Sequence, residues 1–152
     1  MTATRKPRVF LDADVIFAGA AAPSEHGASL VLLRMAEITL IEAITSQQAV
    51  VEAERNLAAK LPAALPAFRL IVSRCLHVVP DPPPFDLQCF GDAADREDLP
   101  TLIAAVQAEC PWLVTFNLRH FQPGHPAVMV LRPGDFLLRV RDLLAQLAQE
   151  DA

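Results

Sequence analysis

Lysine is nearly missing from this chain of 152 residues: Lys6 and Lys60 are the only two, and the rest of the positive charge falls to arginine. Charged residues make up 20% of the chain and form no run of like sign, which excludes a charged disordered tail and a basic nucleic-acid stripe. The net charge of −5 argues against bulk electrostatic binding to duplex. It leaves a nuclease open, because carboxylates clustered to hold metal count as negative in a bare sequence. Cysteine is scarce too. Cys75, Cys89 and Cys110 are odd in number, far apart and without a C-x-x-C, so neither a disulfide framework nor a zinc knuckle is expected. Reduced thiols in a cytoplasmic protein are. No segment reaches the roughly 20 apolar residues of a membrane span. Asp12 and Asp14 interrupt the apolar stretch a signal peptide would need. A glycine-rich phosphate loop is also absent, which weighs against nucleotide-cofactor enzymes.

What is present is a hydrophobic content of 53%, ample for a core in one domain spanning residues 1–152. Val9-Phe10-Leu11 reads as an opening strand that ends on Asp12 and Asp14. Phe17 to Pro23 is loop-like, and a helix is expected from Ala28 to Ala36 with Leu30 and Leu33 inward and Val31 at the margin. Ile38 to Ile41 with Ala43 to Thr45 forms a second strand. Ser46 caps a helix over Gln47 to Lys60, and a further helix is expected from Ala63 to Val72. Leu76 to Val79 is a third strand, stopped by the stiff Pro80-Asp81-Pro82-Pro83-Pro84 connector. Leu99 to Glu109 is helical, Trp112 to Thr115 a fourth strand and Ala127 to Leu131 a fifth. Pro133 then starts an amphipathic helix reaching about Gln149. Strands separated by helices predict an α/β fold in three layers, α/β/α, around a central, mainly parallel sheet of four or five strands.

In such a sheet ligands bind beyond the carboxyl ends of the strands, where Asp12 falls. A carboxylate there is costly to desolvate without a cation or donors. Helix capping is the competing reading for both Asp12 and Asp14. Glu52 and Glu54 lie at opposite edges of the apolar arc Ala49, Val50, Ala53, Leu57 and Leu61, so spacing does not choose between them. Asp98 precedes Leu99-Pro100, as an N-cap would, yet Asp92, Asp95 and Glu97 crowd the same loop, more acids than one cap needs. Thr115-Phe116-Asn117 follows the fourth strand at the same end as Asp12. Arg119 is a phosphate partner or a plain surface arginine, and His120 a turn residue near the cleft that reads mainly as surface or packing. Phe116 and Phe121 flank the site and could stack a base, whereas Phe10, Phe68, Trp112 and Phe136 read as core.

The order strand-Asp, helix-Glu, Asp-x-Pro-helix and strand-Thr-x-Asn resembles the PIN domain, the ribonuclease fold of VapC-type toxins. The matching pieces are Val9 to Val15, Ser46 through Glu52 to Leu57, Asp98 to Ala105, and Leu113 to Phe121. The resemblance implies that Asp12, Glu52 and Asp98 are catalytic and hold Mg²⁺ or Mn²⁺, with Glu52 preferred over Glu54 and Asn117 as a further ligand. Asp14, Thr115, Arg119 and His120 then stand near substrate or behind the ligands. Two departures from the family pattern are visible. Family members commonly carry Asn where this chain has Asp14, and often a fourth acid where it has Asn117. The second change removes a unit charge, so one firm metal site and a weaker second are expected.

A metal-dependent endoribonuclease, the toxin of a toxin–antitoxin pair, is therefore the leading expectation. Its partners would be RNA and a cognate antitoxin, with no membrane. The hydrophobic content of 53%, the two lysines and the resemblance together predict a homodimer. A catalytically weakened RNA-binding or regulatory module is the alternative, and an α/β protein whose acids are only caps is a third.

Overall fold

The computed structural model describes residues 6–22, 24 and 26–150. The chain runs β1 (Arg8–Leu11), α1 (Ala13–Ala20), α2 (Ala28–Glu37), β2 (Glu42–Ser46), α3 (Gln47–Lys60), α4 (Leu65–Cys75) and β3 (Leu76–Val79). It continues with α5 (Pro84–Phe90), α6 (Leu99–Gln107), β4 (Trp112–Val114), β5 (Met129–Leu131) and α7 (Pro133–Glu150). The five strands form one sheet in the order β3-β2-β1-β4-β5, parallel throughout. Alternation along β1 sends Val9 and Leu11 into one core with α1, α2, α3, α4 and α7. Phe10 goes to the other face, against Leu102, Ile103 and Phe121. The expected three-layer α/β/α architecture is therefore present. No described helix is long and apolar enough to cross a membrane.

Strand β1 sits mid-sheet, and the chain order reverses between it and β4. Everything up to β3 builds outward on one side, while β4 and β5 are added on the other. The carboxyl ends of β1 and β4 therefore flank the switch point, the place where open parallel sheets leave a crevice.

Several boundaries differ from the expectations. Phe17 to Ala20, expected as loop, closes α1, and Pro23 lies outside the described residues. This helix is apolar on most of its surface because it is covered by α2, α3 and α4, so no amphipathic period marks it. Gly19 permits the crossing: a Cβ there would stand 2.3 Å from Leu33 Cδ1. In α2 it is Leu32 and Leu33 that are fully buried, while Leu30 and Val31 are half-buried. Ile38 to Ile41 is the turn out of α2, with Thr39 at a φ of 67°, and β2 begins only at Glu42. Those β-branched residues look like a strand but Ile38 is 71% exposed, without a neighbouring strand to pair. Pro62 to Ala64 forms a 3₁₀ turn, and Pro66 lies in the first turn of α4 and does not break it. Likewise Pro84 opens the short helix α5 where only an extended connector was expected. Helix α6 stops at Gln107, because Glu109 takes a left-handed φ of 57°. By contrast, Ser46 caps α3 as expected, its Oγ accepting from Ala49 N at 3.2 Å.

Candidate active site

Asp12 follows directly on β1 and is only 8% exposed. Its Oδ1 accepts from Ala13 N at 2.8 Å, making it the N-cap of α1, and its Oδ2 accepts from Thr115 Oγ1 at 2.8 Å. The capping role thus belongs to Asp12 and not to Asp14. It does not exhaust the side chain, since each carboxylate oxygen keeps a second lone pair. Burial pushes the Asp12 carboxyl above the usual range, against the opposing pull of its hydrogen bonds to Thr115 and Ala13 and of the His120 charge.

Asp14 lies in the first turn of α1 and turns toward β4. Its Oδ2 accepts from Phe116 N at 3.0 Å and Asn117 Nδ2 at 3.1 Å, with Thr115 Oγ1 farther at 3.4 Å. The single Thr115 proton goes to the nearer acceptor, Asp12, while Thr115 Oγ1 accepts from Asn117 N at 3.0 Å. Asp14 Oδ1 is buried without a protein partner. Burial first, then the charge of Asp12, raise its carboxyl from 3.8 to about 6.

Glu52 stands on the second turn of α3, on the exposed side of that helix. Burial, then Asp12, then Asp98 raise its carboxyl, with Arg55 opposing. Glu52 is thus within electrostatic reach of Asp12 and Asp98. Asp98 occupies the N-cap position of α6, yet its side chain makes no capping bond. It pairs instead with His120, Oδ2 to Nδ1 at 3.1 Å. Burial and the Asp12 charge raise its carboxyl, and His120 draws it back. His120, which by itself reads mainly as surface or packing and by the resemblance stands near substrate or behind the ligands, is exposed and pairs with this cluster. Its backbone carbonyl also accepts from Asp95 N at 2.7 Å, tying the acidic loop to the turn after β4.

Asp95 is the residue the sequence reading left out of the site. Together with Asp98 and His120 it offers ligand-type atoms all within 4.8 Å of one another. The density of acids between Asp92 and Asp98 was the signal for it. Arg119 is exposed in the 3₁₀ turn Leu118–Phe121. Asn117 is bound by its amide nitrogen to Asp14, which leaves the amide oxygen as its ligand-type atom.

The donor set fits a hard divalent cation, which such sites hold through carboxylate oxygens and retained waters. Burial raises the proton affinity of Asp12, Glu52 and Asp98, the Asp12 charge adds to it at Glu52 and Asp98, and the Asp98 charge adds to it at Glu52. The Asp14 Oδ1 beside them is a buried oxygen without a protein donor. Acids so arranged take up either protons or a cation.

Comparison with known proteins shows the fold and the family. Solved structures share the fold at low identity. PAE2754 from Pyrobaculum aerophilum matches with a TM-score of 0.65 and 15% identity over 92% of this chain and 99% of that one. VapBC2 from Rickettsia felis, bound to a DNA fragment from the promoter, matches at 0.59 and 14% over 81% and 96%. The sarcin-ricin loop cleaving toxin VapC20 from Mycobacterium tuberculosis matches at 0.50 and 15% over 69% and 86%. No curated protein matches the sequence. The PIN domain model aligns with residues 8–119, a span holding Asp12, Glu52, Asp98 and Asn117 on their expected elements, and the chain belongs to the PIN domain family.

Proposed function

We propose that this chain is a metal-dependent endoribonuclease, the toxin of a toxin–antitoxin pair, working as one PIN-like domain in the cytoplasm. The observation that carries the reading is Asp12, buried at the switch point and electrically coupled to Glu52 and Asp98. Asp12, Glu52 and Asp98 would hold Mg²⁺ or Mn²⁺, with Asn117 and Asp95 at the margin. When bound, the cation lowers the pKa of water and offsets charge building on the phosphate oxygens.

The chain's own residues supply the rest. Thr115 fixes the rotamer of Asp12 by its hydrogen bond, and Asp14 fixes the loop carrying Asn117. His120, paired with Asp98, orients that carboxylate and is placed to donate a hydrogen bond to a phosphate or leaving oxygen. Arg119 is the exposed guanidinium next to it, suited to bidentate contact with phosphate. The neighbours VapBC2 and VapC20 support a toxin role and a protein antitoxin as partner. Exposed Leu143, Leu144 and Leu147 on α7 support a homodimer, since such surface is usually covered.

The test is cleavage of a mixed RNA substrate with Mg²⁺ or Mn²⁺, with chelator, and with Asp12→Asn. Metal-dependent cleavage lost in Asp12→Asn supports the reading, and cleavage that survives both treatments refutes it. A second reading, a weakened PIN module that binds RNA without cutting it, is favoured by neutral Asn117 where relatives often carry an acid. Binding without turnover at any metal concentration would select it.

A further inference from the structure

Phe116 and Phe121 both flank the acidic cleft in sequence, and the structure separates them. Phe121 is 2% exposed and packs in the core with Leu102 and Ile103 of α6, while Phe116 is 45% exposed. Single exposed aromatics are ordinary on protein surfaces. Phe116 differs in how its backbone is held. Its own N–H donates to Asp14 Oδ2 at 3.0 Å. On one side Thr115 is tied to Asp12 through its hydroxyl and to β5 through its N–H, which donates to Leu131 O at 3.0 Å. On the other side Asn117 donates from Nδ2 to Asp14 and from its N–H to Thr115 Oγ1. Three consecutive residues are therefore pinned to two carboxylates of the cleft, and the one apolar side chain among them stands out to solvent. Phe85 is more exposed at 72%, but it sits on α5 with no such tie.

We propose that Phe116 is a stacking platform for an unpaired nucleobase of the RNA strand, and that Asp14 is the positioning residue that holds it beside the cleft. The proposal rests on the nuclease reading and deepens it. Every base has a π-face, so one ring can anchor a strand without a sequence code, whereas a base inside a duplex is already covered. Two exposed arginines follow the platform in the chain: Arg119 in the next turn, and Arg132 just after Leu131, whose carbonyl receives the Thr115 N–H. A guanidinium suits a phosphate and a ring suits a base, the two chemistries that alternate along a single strand. A protein segment needs no such alternation. The substrate class that follows is single-stranded or looped RNA, bound with one base on Phe116.

The test uses Glu52→Gln protein with Mg²⁺, which removes a cleft charge without touching the Asp14 brace, and short labelled oligoribonucleotides read by fluorescence anisotropy. Adding Phe116→Ala should weaken binding by roughly five- to a hundredfold, the worth of one stacked base. Phe116→Trp should keep the affinity, and its added indole should be quenched on binding. Oligonucleotides with one abasic position, scanned along the strand, should show a site that weakens binding to the parent but not to Phe116→Ala. Asp14→Ala should weaken binding partially, with rescue by Asp14→Asn, which keeps the acceptor. In the otherwise wild-type protein Phe116→Ala should raise KM more than it lowers kcat. If the parent binds RNA and wild type cleaves it while Phe116→Ala changes neither, the platform is refuted and the nuclease reading stands. If Phe116→Ala alters only self-association, the ring meets protein and the proposal is again refuted. If the parent binds no RNA and wild type cleaves none, both fall together.

Discussion

Thr115 Oγ1 donates a 2.8 Å hydrogen bond to Asp12 Oδ2, joining the ends of β4 and β1 across 103 positions of sequence. Both residues are buried, and the bond sits at the point where the order of the sheet reverses. One hydroxyl thus fixes the central acid and also accepts the Asn117 N–H that starts the next turn.

Thr115→Val, nearly equal in volume, should therefore cost about 1–3 kcal/mol, because it leaves Asp12 and the Asn117 N–H without this partner. Thermal denaturation should show the loss. Removing the bond should also push the Asp12 carboxyl further up, so metal affinity measured by calorimetry should fall at pH 6 more than at pH 8. Equal stability and equal affinity at both pH values would show that the hydroxyl is dispensable.

Asp14 gives a pH signature. Its folded-state carboxyl is raised from 3.8 to about 6, so the native state binds its proton more tightly than the unfolded chain does. The stability linked to that proton is full below 3.8 and is lost as the pH rises to about 6. Asp14→Asn keeps an oxygen to accept from Phe116 N and removes the charge beside Asp12. It should stabilise the metal-free protein at pH 7 by about 1–2 kcal/mol, with the difference shrinking toward zero near pH 4. Melting temperatures of both proteins in chelator across that range decide it, and a gap independent of pH would count against the assignment.

Divalent metal should stabilise the protein in proportion to how far these acids are ionised. Burial raises Asp12, Asp14, Glu52 and Asp98, and the Asp12 charge raises the other three further, so protons compete with the cation. The shift in Tm on adding Mn²⁺ should be largest at pH 8 and small at pH 5. A shift of equal size at both would place the ion elsewhere.

Position 117 tests the departure from the family pattern. Asn117→Asp puts a carboxylate where an amide nitrogen now lies 3.1 Å from Asp14 Oδ2. The metal-free protein should lose about 1–3 kcal/mol at pH 7 from the like-charge contact and the lost bond. Metal affinity should rise, and cleavage with it if a second ion is needed. Asp12→Asn should abolish cleavage while leaving the chain folded. If neither substitution alters metal affinity, these acids do not form the metal site.

Sequence alone determined the elements whose signals are local. Ser46 before a segment free of Gly and Pro marks α3, and Leu76 to Val79 ahead of Pro80 marks β3. The elements that carry Asp12, Glu52 and Asp98 were legible as well, because strand ends and helix starts are set within a few residues, but the spacing alone did not choose Glu52 over Glu54. Tertiary structure decided everything that depends on which surfaces meet. Helix α1 shows no amphipathic period because three other helices cover it, and Ile38 to Ile41 fails as a strand for want of a neighbour to pair. Phe116 and Phe121 are equivalent as letters, but Phe121 is buried against α6 and Phe116 is 45% exposed. The assignments of Asp12 to the cap, Asp14 to the loop brace and Asp98 to His120 were likewise out of reach. A carboxylate takes whichever donors the fold brings within about 3 Å, and those donors come from chain segments that no short-range pattern relates.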